Sequence, residues 1–117
     1  MRYMLLIYES EGAWAGMSEE EQGKAYGEYM SFTDDIKAKG QYISGAPLQP
    51  VATATTVRVK DGKAISTDGP FAETREQLGG YYLVEAKDLD EAIGLAKRIP
   101  AARMGSIEIR PVMELGV

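Results

Sequence analysis

The side chains of this 117-residue chain that can do chemistry are carboxylates, tyrosines, lysines and arginines, because it contains no cysteine and no histidine. That removes disulfides, thiolate nucleophiles and cysteine-based metal sites. It also removes the ordinary general base near neutral pH and every Ser-His or Cys-His mechanism. No metal and no cofactor is expected. The densest chemistry lies in the run Thr67–Tyr82, where Asp68, Glu73 and Arg75 precede the glycine pair Gly79-Gly80 and the tyrosines Tyr81 and Tyr82. Asp68 or Glu73 is a candidate for proton abstraction, with Tyr81 or an arginine stabilising the oxyanion. Asp68, Phe71, Glu73, Arg75, Tyr81 and, from a later loop, Arg103 are the candidate ligand-binding residues. Turn chemistry accounts for part of the same run: Asp68 suits an Asx-turn, Gly69 an unusual φ, Pro70 a fixed one, and Phe71 an apolar anchor. Tyr81 also reads as core and Arg103 as a solvated arginine. Gly79-Gly80 suits a bulge or a close backbone approach, and no phosphate-loop spacing is present.

These side chains must be positioned by a single domain spanning residues 1–117, the size of an ordinary globular unit. Apolar content of 44% and charged content of 26% fit that class. A net charge of −5 with scattered Lys and Arg argues against nucleic-acid binding. No apolar stretch reaches membrane-spanning length, and the apolar residues 1–8 are followed by no cleavage-type segment, so a cytoplasmic chain is expected.

Tyr3–Tyr8 predicts a first strand, followed by a loop from Glu9 to Met17 that holds the sole tryptophan, Trp14. Ser18-Glu19-Glu20-Glu21 is a capping box that opens a helix running to about Lys39, with Ala25, Tyr29, Phe32 and Ile36 at helical spacing and Tyr26 and Met30 widening the stripe. Gln41–Leu48 is a short extended piece. Thr53–Lys60 and Lys63–Ser66 form a hairpin about Asp61-Gly62. A strand from Gly79 or Gly80 to Glu85 follows the charged run. Asp88 caps a second helix with the stripe Leu89, Ala92, Ile93, Ala96 and Ile99, which Pro100 stops. Ser106–Met113 is the last strand, with Ile107 and Ile109 on one face.

The order is βαββαβ with an inserted hairpin, an α+β ferredoxin-like pattern. Its two central strands, Tyr3–Tyr8 and Tyr81–Glu85, are apolar on both faces, and two helices can cover only one face of the sheet. The second face needs a partner. A second copy packed by two-fold symmetry would supply it and make a homodimer; the inserted hairpin folded over the open face is the rival account.

The run containing Asp68-Gly69-Pro70-Phe71 resembles the signature of the DGPF proteins, a branch of the YCII-related family. The resemblance extends through Tyr3–Tyr8, the Trp14 region, Leu48-Gln49-Pro50, Ala52–Arg58, Leu89–Ala92, Ile99–Ala102 and Gly105–Pro111. It implies a dimeric α/β-barrel of ferredoxin-like subunits and frequent genomic pairing with sigma factors of the extracytoplasmic-function type. The His–Asp pair proposed as catalytic in the wider branch has no counterpart, since this chain has no histidine and carries Ile99-Pro100 where relatives show Asp-Pro. Two functional readings follow. One is a homodimer binding a small molecule in a cleft near the DGPF loop, enzymatic only by a histidine-independent route. The other is a non-catalytic accessory protein acting with a sigma factor.

Overall fold

The computed structural model describes residues 1–116. The chain runs β1 (Arg2–Glu9), α1 (Glu11–Ala15), α2 (Glu19–Ala38), β2 (Tyr42–Pro47), a 3-10 turn (Val51–Thr53), β3 (Thr55–Lys60), β4 (Lys63–Asp68), β5 (Gln77–Glu85), α3 (Leu89–Ala96), a second 3-10 turn (Pro100–Arg103) and β6 (Ser106–Pro111). β2, β5, β1 and β6 form an antiparallel sheet in that spatial order, which is the ferredoxin-like arrangement with β5 and β1 in the middle. β3 and β4 pair only with each other. No helix among the described residues is long and apolar enough to cross a membrane.

Period-two alternation sorts the central strands. Tyr3, Leu5 and Ile7 of β1 and Tyr82 and Val84 of β5 are buried under α2 and α3, beside Phe32, Ile36, Ala92, Leu95 and Ile99. Met4, Leu6 and Tyr8, with Tyr81 and Leu83 across the strand pair, occupy the opposite face. Among the described residues that face carries no helix, as expected from the doubly apolar pattern.

α2 starts as its capping box requires. The Ser18 hydroxyl accepts from the Glu21 N–H at 3.1 Å, and the Glu21 carboxylate accepts from the Ser18 N–H at 3.1 Å. α3 is shorter than the sequence suggests. It ends at Ala96, and the Arg98 and Ile99 N–H groups bond three residues back, because Pro100 drives Ile99 into extended backbone. The buried stripe is accordingly Ala92, Leu95, Ala96 and Ile99, whereas Leu89 and Ile93 are exposed. On α2, Tyr26 and Met30 are exposed rather than part of the stripe.

The hairpin turns on Asp61 and Gly62, both at positive φ, as Asp-Gly allows. Its arms are almost wholly exposed, with Val59 at 72%. It does not lie over the open sheet face. The radius of gyration is 16.2 Å, against about 13 Å for a compact chain of this length; the projecting hairpin accounts for the excess.

Candidate functional site

β5 is bent where it begins. Its register against β1 skips Gly79: Ile7 pairs with Gly80, and Tyr8 with Leu78. On the other side, β2 passes so close that a Cβ on Gly80 would stand 2.9 Å from the Ala46 carbonyl oxygen. The glycine pair therefore serves both roles open to it in the sequence, a bulge and a close approach.

A cavity of about 650 Å³ opens between that end of the sheet, α2 and the short helix α1. Ile7, Gly80 and Tyr82 form its floor, Tyr26, Tyr29 and Thr33 of α2 one wall, and Trp14 another, with Pro47, Leu48 and Pro50 closing the β2 side. Trp14 meets Tyr26 edge to face at 5.2 Å between ring centres. The sequence placed Trp14 in a loop. It sits instead on α1, a five-residue helix too short to show a periodic pattern. α1 is fastened from both sides: the Glu11 carboxylate accepts from the Val51 N–H at 2.7 Å, and the Gln77 side-chain oxygen accepts from the Glu11 N–H at 3.2 Å.

Polar groups are few and specific. Thr33 and Tyr82 share a hydroxyl–hydroxyl hydrogen bond of 2.8 Å. Glu9 continues the row Tyr3, Leu5, Ile7 onto the helix-side face and borders the cavity half-buried. Burial raises its carboxyl above the ordinary range, and the nearby charge of Glu76 adds to this. Burial, then the charge of Glu9, pushes the Tyr29 phenol up to about 12 against the opposing effect of the backbone at Ala101. Tyr29 is thus held as a neutral hydrogen-bond donor beside a carboxylate that takes a proton more readily than a free one. That arrangement can bind a hydrogen-bonding group or exchange a proton without histidine. Among the described residues, no cluster of His, Cys, Asp or Glu fit to hold a metal ion occurs.

Of the residues singled out in the sequence, Tyr81 borders the cavity, although strand alternation turns its side chain to the face opposite Tyr82. Asp68 ends β4, and Phe71, Glu73 and Arg75 follow on the exposed DGPF loop, outside the cavity lining. Phe71 is not the apolar anchor expected from turn chemistry. It is 78% exposed, and the Arg58 guanidinium lies 5.8 Å from its ring centre. The loop is held by backbone instead: the Gly69 N–H donates to Ala54 at 2.8 Å and the Thr56 hydroxyl to the Gly69 carbonyl at 2.9 Å. Arg103 is exposed and pairs with Glu28 at 2.8 Å. At the far end of the loop, Gln77 both borders the cavity and bonds the Thr74 carbonyl at 2.6 Å, so loop and cavity meet there.

The pattern of the YCII-related domain matches residues 1–116. An uncharacterized protein of Rhizobium meliloti (strain 1021) is 36% identical over 114 residues, which cover 96% of this chain and 92% of that protein.

Proposed function

The chain belongs to the YCII-related family, and from that premise we propose that it is a homodimer that takes a small molecule into the helix-side cavity of each protomer, beside the DGPF loop. The observation that carries this reading is the cavity itself. It lies within the volume range of small-molecule sites, is walled mainly by apolar and aromatic side chains, and keeps a few placed polar groups.

Dimerisation is supported by the helix-free face of the sheet, where Met4, Leu6, Tyr8, Tyr81 and Leu83 form an apolar patch. Four strands spaced about 4.8 Å apart and some 20 Å long offer roughly 400 Å², about half of the 800 Å² that each partner contributes to a standard interface. The projecting hairpin, with Val57, Val59 and Ile65 exposed, and the DGPF loop with Phe71 would supply the remainder. That would place the DGPF residues at the closure of the dimer.

Thermal-shift screening of a small-molecule library against the native chain and an Ala15→Trp variant tests the ligand reading. Ala15 is exposed and borders the cavity, so tryptophan fills space there without entering the core. Hits that stabilise the native chain and fail on the variant support the site; equal shifts in both, or no hit at all, reject it.

A further inference from the structure

We infer that the cavity ligand is an organic cation, an amine carried on an aromatic or alkyl frame, with its ammonium directed to Glu9. This rests on the reading of the cavity as a small-molecule site. The charged residues that line it are Glu9 and Glu11, and no lysine or arginine joins them. Glu11 already accepts from the Val51 N–H, and among the described residues the Glu9 carboxylate has no such hydrogen bond, so Glu9 is the less engaged of the two. Glu76 stands close enough to act on Glu9 by its charge, and its own carboxylate accepts from the Ser106 hydroxyl. Arg103, whose charge acts on Tyr29, is paired with Glu28.

The walls point the same way. Trp14, Tyr26 and Tyr29 gather beside Tyr82, and aromatic faces attract a cation through their negative π clouds. An anionic ligand would meet two carboxylates and those same faces, with no cation among the lining residues to receive it; Lys37 lies against the Tyr42 ring at 4.9 Å. A neutral ligand would leave the half-buried Glu9 charge unanswered. An ammonium answers it with a charge-assisted hydrogen bond while its frame fills the apolar remainder.

Three compounds on one frame test the inference: tryptamine, tryptophol and indole-3-propionate, which end in a cation, an alcohol and an anion. Their dissociation constants would be measured at neutral pH and low salt by calorimetry. Tryptamine is expected to bind roughly tenfold or more tightly than tryptophol, the ratio of one hydrogen bond to a charged group, and indole-3-propionate most weakly. Glu9→Gln is expected to bring tryptamine close to the affinity of tryptophol, with the variant's cooperative thermal unfolding controlling for folding. Glu76→Gln, which keeps the acceptor for Ser106, is expected to reduce that advantage in part. Indole-3-propionate binding as tightly as tryptamine, or a tryptamine advantage that survives Glu9→Gln, overturns the cation assignment and leaves the cavity standing as a site. Failure of all three to bind at millimolar concentration overturns both.

Discussion

Glu9 and Tyr82 show how single residues set the character of the cavity. The folded protein holds a proton on Glu9 to higher pH than the unfolded chain does, because burial raises its carboxyl above the ordinary 4.5. Stability from this group is therefore full at acid pH and falls as pH rises through the folded value. Glu9→Gln removes that loss. Its melting temperature at pH 7 should exceed the native one by roughly 1–3 °C, modest because the group is partly solvated, and the gain should vanish below about pH 4.5. Scanning calorimetry at pH 4 and pH 7 checks both the sign and the window. Tyr82→Phe leaves the Thr33 hydroxyl without its partner and should cost about 1 kcal/mol, read from the urea midpoint. Glu9 was legible in principle, since Tyr3, Leu5 and Ile7 fix the buried face of β1 and the next position on that face is Glu9. The apolar run ends at Tyr8, so the sequence pattern assigns Glu9 to the loop, whereas the strand extends through it.

At the scale of elements, the bulged start of β5 borders the cavity. Gly80→Ala would set a methyl group 2.9 Å from the Ala46 carbonyl and against Pro47. The expected cost is roughly 1–3 kcal/mol, with hydrogen exchange accelerated along β2 more than along β6, because β2 is the strand pushed away. The sheet order, the α2 cap and the hairpin turn were all legible, because each rests on local signals: alternation, a capping box, an Asp-Gly pair. Three features were not. α1 is too short to carry a period. The end of α3 depends on how Pro100 restricts Ile99. The exposure of Phe71 depends on how far the hairpin stands from the sheet, and turn chemistry says nothing about that distance. The cavity is formed where α1, the bulge and α2 meet, a junction of segments far apart in sequence that no local pattern encodes.

At the scale of the whole molecule, the helix-free sheet face makes a sharp prediction about assembly. Leu6→Lys places a charge at the centre of that face, across from Glu108 of β6, which can pair with it in a single subunit. Light scattering with size-exclusion chromatography should find the native chain as a dimer and Leu6→Lys as a folded monomer. A native chain that stays monomeric at micromolar concentration would remove the dimer from the proposal.

The same sheet sets a constraint on biosynthesis. Leu5 pairs with Tyr82 on one side and with Ile109 on the other. β1 therefore has no neighbour until the ribosome has made the chain through β5. The β3–β4 arm, joined by a two-residue turn, closes alone within microseconds, whereas β1 waits for β5. Nascent-chain crosslinking should find residues 3–8 held by a chaperone until β5 emerges.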